Sequence, residues 1–84
     1  MVEFYVIINH TTTAIHNMRK IFEQLHLNIE VLELREAPIL DKDGNEKKMV
    51  FVLDCFGSFD SYVRLRVSHD WQEVKYENKI SLIA

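Results

Sequence analysis

The chain has 84 residues, 48% of them hydrophobic, which is typical of one small globular domain and not of a disordered segment. Thirteen acidic and ten basic side chains give a formal net charge of -3, without the basic excess of nucleic-acid binders. No apolar run approaches the roughly 18 residues that cross a bilayer, and no signal peptide follows Met1. We therefore expect a cytoplasmic protein that binds neither nucleic acid nor a membrane.

The first half of the chain predicts a strand, a helix and a second strand. Residues 2–9 are β-branched and aromatic, and their nearly continuous apolarity is typical of a central strand or one covered on both faces. Polar residues 9–13 can cap a helix, whose apolar face is then Ala14, Ile15, Met18, Ile21, Phe22 and Leu25. Residues 28–40 predict a long strand, in which Pro38 marks a bend, an edge or an end.

The second half predicts a hairpin, a helix and a last strand. Residues 41–46 contain Asp-Gly, a strong hairpin signal, so strands 28–40 and 49–56 are expected to pair antiparallel. Residues 58–70 fit a helix capped by Ser58, although residues 62–67 also alternate like a strand. The last strand is centred on residues 73–76, and residues 79–83 are either its continuation or a separate short strand.

The order β-α-β-β-α-β predicts an α+β ferredoxin-like sandwich: an antiparallel sheet with both helices on one face, in a single domain over residues 1–84. The helical interpretation of residues 58–70 completes this order. The first and third strands have too many apolar residues for two solvated sheet faces, and the core of so short a chain is small. Both observations favour a homodimer or another partner.

No strong catalytic, metal or cofactor motif is present. The only two glycines form no phosphate-binding loop, and the four histidines lack the spacing of a helical zinc site, so we expect no enzyme, cofactor or metal. Cys55, the only cysteine, is expected to be a small buried hydrophobe. Glu30, Glu33 and Glu36 lie three apart on a predicted strand, so successive members are expected on opposite faces and not as a carboxylate pair.

RNA binding is an alternative, because ferredoxin-like modules of one type stack bases on aromatic side chains of the two central strands. Tyr5 and Phe51 are the candidates for such stacking. The glycine of the usual motif is missing around Phe51, and the net charge is negative. RNA binding is therefore disfavoured.

Residues 9–57 resemble an ACT domain, in particular the type attached to prephenate dehydratases and aromatic amino acid hydroxylases. Three segments stand, in order and without a gap, where that family has Gly-Ala-Leu, Gly-Ile-Asn-Leu and Glu-Ser-Arg-Pro: Thr13-Ala14-Ile15, His26-Leu27-Asn28-Ile29 and Glu33-Leu34-Arg35-Glu36. Residues 51–57 look like the family's third strand, with an Asp followed three residues later by a Gly. Thr13 replaces the turn glycine, and the family's turn proline is absent.

The resemblance implies a regulatory homodimer that binds an amino acid, often phenylalanine, at the subunit interface and controls an attached or partner enzyme of amino-acid metabolism. The ligand would lie between the turn before the first helix of one subunit and the start of the second strand of the other, and its contacts would be His10, Thr11, Thr12, Thr13, Ala14, Asn28 and Ile29. A helix N-terminus presents free N–H groups that suit a carboxylate. The alternative is a ferredoxin-like dimerisation or protein-interaction module without a metabolite, in which the threonines only cap the helix and Asn28 caps a turn.

Overall fold

The computed structural model describes all of Met1–Ala84 as a five-stranded mixed sheet with two helices, an α+β arrangement compatible with a ferredoxin-like fold. In chain order the elements are β1 (Val2–Asn9), α1 (Thr12–Gln24), β2 (Ile29–Leu40), β3 (Glu46–Gly57), α2 (Phe59–Ser68), β4 (Gln72–Tyr76) and β5 (Lys79–Ile83). The strand order across the sheet is β2-β3-β1-β5-β4. Residues 58–70 thus contain a helix, as predicted, and residues 79–83 form a separate strand.

The sheet is antiparallel among β1, β2 and β3, as predicted, but it is not antiparallel throughout. After α2 the chain forms β4 at the outer edge of the sheet. A two-residue turn then leads into β5, which lies between β4 and β1 and runs parallel to β1. Glu77 and Asn78 form that turn with φ of 50° and 60°, as a type I′ hairpin requires. The expectation of a wholly antiparallel sheet is therefore wrong for the pair of β5 and β1, whereas β4 and β5 are antiparallel to each other.

Both helices cover the same face of the sheet, as predicted. Between them and the sheet lies the main core of buried side chains, Phe4, Val6, Ile8, Met18, Leu53, Cys55, Tyr62, Leu65 and Leu82. Side chains from β1 alternate into this core because successive residues of a strand point to opposite faces. Each large apolar side chain buried here stabilises the fold by roughly 1.5–3 kcal/mol. Neither helix is long and apolar enough to cross a membrane.

The other face of the sheet is shielded by the sheet itself. It holds a second buried cluster of Ile7, Ala37, Val50 and Val52. Although β4 and β2 are opposite edges of the sheet, the Tyr76 hydroxyl donates to the Pro38 carbonyl at 3.5 Å, and Arg35 donates to Glu77 at 2.6 Å. The Arg35 guanidinium also lies 5.4 Å from the Tyr5 ring centroid. Side chains from the two edges of the sheet therefore meet across this face and cover part of it.

An extra residue in β2 changes which faces its side chains occupy. The register of β2 against β3 shifts between Val31 and Glu33, as at a β-bulge. As a result, Glu30 and Glu33 are paired with Phe56 and Asp54, which are two residues apart on β3, so both carboxylates lie on one face. The prediction that these two glutamates lie on opposite faces is therefore wrong. The third glutamate of the strand lies on the helix-covered face.

Candidate functional site

An apolar groove lies between α1 and the edge strand β2. It contains a cavity of about 110 Å³. Six apolar side chains line it: Ile15, Met18, Phe22, Val31, Leu34 and Leu53. Val31 and Leu34 are still 42% and 47% exposed, because β2 has no neighbouring strand on its outer side. The groove is thus hydrophobic and open to solvent along the edge of the sheet.

A second, more open cavity of about 330 Å³ adjoins the first. The two cavities share Ile15, Arg19 and Leu34 in their linings. The second reaches Thr12 and His16, so the groove extends to the first turn of α1. Together the cavities join an apolar region to the N-terminal end of a helix.

A cationic side chain without an ion-pair partner, that of Arg19, lines both cavities. Arg19 forms no ion pair, whereas the ion-paired cationic side chains are elsewhere on the chain. The first turn of α1 has no acidic side chain, so the partial positive charge of its N-terminus is not offset locally. A guanidinium binds a carboxylate with two parallel hydrogen bonds. The groove is therefore suited to a ligand with an apolar body and a carboxylate.

Two of the predicted ligand-binding residues make contacts within the chain. The His10 Nε2 atom lies 3.2 Å from a Glu36 carboxylate oxygen, and the His10 ring centroid lies 4.6 Å from that of Phe51. The Thr11 hydroxyl accepts a hydrogen bond from the Ala14 N–H at 3.0 Å, as an N-cap residue does. These contacts tie the turn before α1 to β2 and β3.

The other predicted residues fall into two places. Thr12 lines the groove, and Thr13 is exposed beside it in the first turn of α1. Asn28 lies beyond the other end of α1, where its backbone N–H donates to the Ser61 hydroxyl at 2.9 Å and its side chain is exposed. Ile29 packs against the main core.

The two halves of the predicted site are therefore separated by the length of α1. The 13 residues of this helix span roughly 20 Å at 1.5 Å per residue. One chain does not bring residues 10–14 and residues 28–29 together. A site that used both halves would need two subunits.

The sequence analysis missed the residues that shape the groove. Arg19 is not one of the residues predicted for the apolar face of α1, yet it borders that face, four residues after Ile15 and three before Phe22. Leu34 stands where the ACT pattern has a serine, and its exposure at a sheet edge follows from the strand order. The position of Arg19 at the border of the apolar stripe is the one signal that the sequence offered.

The aromatic pair considered for RNA stacking does not form one surface. Tyr5 is paired with Asp54 and packs against the second cluster, on the face without helices. Phe51 packs against the main core, on the helix-covered face. The two rings lie on opposite faces of the sheet, so no base-stacking platform links them.

Cys55 is fully buried in the main core, as predicted. Burial, with a smaller effect from the charge of Asp54, raises the pKa of the Cys55 thiol to about 12. The thiolate is the reactive form of cysteine. Cys55 is thus a packing residue and not a nucleophile.

Comparison with protein-family models, with curated proteins and with solved structures finds no match to this chain. The ACT resemblance, carried by three short segments, therefore stays a prediction.

Proposed function

We propose that this chain is a small cytoplasmic ACT-like regulatory module that binds an apolar amino acid, similar to phenylalanine, at a homodimer interface. The groove between α1 and β2, with the unpaired Arg19 at its rim, is the observation that carries the proposal. The apolar lining accepts the ligand side chain. Arg19 and the N-terminus of α1 bind the ligand carboxylate.

In this proposal the fold is a βαββαβ unit in which the β4–β5 hairpin stands in place of a single last strand. The helices and the first three strands keep the order on which the ACT resemblance rests. The added strand lies on the far side of β1 from β2, so it leaves the groove unchanged.

The second subunit completes the site in this proposal. Asn28 and Ile29 of the partner subunit approach the α1 N-terminus of the first. The Asn28 side chain has both an amide donor and a carbonyl acceptor, which suit the carboxylate and the ammonium of an amino acid. Its backbone is held in place by Ser61, so the exposed side chain projects from a fixed position.

Regulation follows from the position of the ligand between subunits. A ligand that contacts both chains stabilises the packing in which those contacts form. An attached or partner enzyme that is sensitive to this packing is then coupled to the ligand concentration.

The test is a thermal-shift screen against the twenty amino acids at millimolar concentration, with light scattering on the same samples. At a hundred times its Kd, a ligand stabilises the native state by about 2.7 kcal/mol. For a chain of this size that raises Tm by roughly 11–22 °C. We expect the largest shift with an aromatic or aliphatic amino acid, in a sample that scatters as a dimer.

Arg19→Gln should abolish the shift because it removes the charge that binds the carboxylate. Lys20→Gln is the matched control, since it removes an exposed cation from the adjacent position of α1, outside the groove. An equal loss in both variants would point to a general charge effect. No shift with any amino acid would refute the ligand part of the proposal.

The second candidate function is a dimerisation or protein-interaction module without a metabolite. The internal contacts of His10 and Thr11 favour it, because they occupy groups that the ligand would otherwise use. This candidate predicts a dimer whose stability is unaffected by amino acids and by Arg19→Gln.

A further inference from the structure

His16 lines the larger cavity of the groove and has no role in the amino-acid site described so far. Its side chain is exposed and lies in the lining together with Thr12 and Arg19. Thr12 begins α1, so the three residues follow one another along one stripe of the helix, about one turn apart. His16 therefore lies between the two groups that bind the ligand carboxylate in the proposed function, the N-terminus of α1 and the Arg19 guanidinium.

This spacing places the His16 imidazole beside the position of that carboxylate. Side chains three or four residues apart on a helix have Cβ atoms about 5–6 Å apart. A carboxylate has about four lone-pair sites, so two hydrogen bonds from a guanidinium leave room for a third donor. His16 forms no ion pair within the chain, so its charge, when it is protonated, is not neutralised by a neighbour.

The sheet side of this cavity brings one carboxylate and one further histidine. Glu36 of β2 is paired with Phe51 of β3, whose ring lines the cavity. His10 lies over the Phe51 ring at 4.6 Å, and its Nε2 atom is 3.2 Å from the Glu36 carboxylate. A proton on His10 is thus matched by the charge of Glu36, whereas a proton on His16 adds an unmatched positive charge.

The helix side brings a lysine and a glutamate. Lys20 lies one turn after His16, and Glu23 lies one turn after Arg19. Histidine is the side-chain type that changes its charge between pH 5 and pH 8, in contrast to lysine and glutamate. Among the side chains that line the cavity, His16 is therefore the one whose charge responds to pH near neutrality.

We infer that His16, in its protonated form, is a further carboxylate-binding residue of the groove, so that amino-acid binding takes up protons. The inference rests on the proposed function and adds regulation by pH to it. An imidazolium attracts the carboxylate and a neutral imidazole does so much less, so affinity rises as the pH falls. By linkage, the bound carboxylate favours protonation of His16 by the same factor.

The expected size of the effect is modest because the cavity is open to solvent. Kd should be about fivefold lower at pH 5.5 than at pH 7.5, which corresponds to the attraction of about 1 kcal/mol between two unit charges 4 Å apart in water. The carboxylate of a free amino acid is ionised at both pH values, so the ligand charge does not cause the change.

Isothermal titration calorimetry of the full chain with L-phenylalanine and with L-leucine, at pH 5.5 and pH 7.5, is the test. At pH 6.5, two buffers with different ionisation enthalpies reveal proton uptake as a difference in the heat of binding. In His16→Gln the Kd values at the two pH values should agree within about twofold, near the native value at pH 7.5, without proton uptake. In His16→Arg, which has a permanent charge, Kd should be near the native pH 5.5 value at both.

His69→Gln is the matched control, because His69 follows α2 and lines neither cavity of the groove. This variant should keep both the pH dependence and the proton uptake. Circular dichroism and light scattering at both pH values check that each variant is folded and has the same oligomeric state as the native chain.

Equal affinity at pH 5.5 and pH 7.5, or a pH dependence that persists in His16→Gln, would overturn the inference and leave the ligand proposal intact. An equal loss of pH dependence in His69→Gln would also overturn it, because a general effect of surface charge would then explain the result. No binding of either amino acid at any pH would refute the ligand proposal and this inference with it.

Discussion

Gly57→Ala should destabilise the fold, because Gly57 is in close contact with the backbone where β2 begins. A Cβ atom added at Gly57 would lie 2.6 Å from the Asn28 carbonyl oxygen, 3.0 Å from Ile29 Cγ1 and 3.2 Å from Ile29 Cα. Cβ contacts shorter than 3.0 Å are essentially never observed, so the carbonyl must move by at least 0.4 Å. It cannot rotate away like a side chain, because it belongs to the backbone at the start of β2, where Ile29 is paired with Gly57.

Overpacking of this kind costs about 1–3 kcal/mol. For a chain of this size, 1 kcal/mol shifts Tm by about 4–8 °C, so Gly57→Ala should lower Tm by roughly 4–24 °C. Thermal and urea unfolding, followed by circular dichroism at one fixed protein concentration, measure the change. The reason is purely steric, since Gly57 does not have the positive φ that disfavours other residues.

Gly44→Asn is the control for this experiment. Gly44 has a φ of +83° with no atom within 4 Å of an added Cβ, and asparagine tolerates the left-handed region better than most residues. We expect this variant to remain within about 0.5 kcal/mol of the native protein. If Gly57→Ala were equally stable, the close approach of β3 to Asn28 would be wrong, and with it the fixed position of that residue.

Two further predictions concern titrating groups. Hydrogen bonds from Arg66 and Tyr62 lower the pKa of Glu73 below its usual 4.5. The ionised carboxylate therefore stabilises the fold above pH 4.5, and this contribution is lost as the pH falls through the folded-state pKa. Glu73→Gln should make the stability depend less on pH below 4.5, and an unchanged dependence would contradict the assignment. Cys55 should react with a thiol reagent at pH 8 only as fast as the chain opens, because the thiol is fully buried. Fast reaction of the native protein would show that the thiol is not buried.

Local patterns were sufficient for most elements of the fold. The apolar stripe of α1, the Asp-Gly hairpin and the serine cap of α2 each act through near neighbours in the chain, and all three are found as predicted. The continuous apolarity of β1 correctly indicated a central strand with both faces covered. In contrast, the Glu77-Asn78 turn lacks the glycine that usually signals a type I′ hairpin, so the parallel placement of β5 was missed.

The candidate site depended more on distant contacts. The bulge in β2 arises from its pairing with β3 and moved Glu30 and Glu33 to one face. The exposure of Leu34 follows from the strand order, and the groove beside Arg19 exists only where α1 packs against that edge. None of these properties depends on sequence neighbours alone.

By itself, the sequence determined the number and type of most elements, the buried face of α1 and the buried state of Cys55. These follow from side-chain periodicity, which reports how each segment divides between core and solvent. Only the tertiary structure decided that the side chains of Arg35 and Tyr76 cover part of the second face of the sheet, and that β2 is an edge strand beside an apolar groove. The physical reason is that strand order and sheet edges are set by contacts between segments far apart in the chain, whose geometry no local pattern encodes.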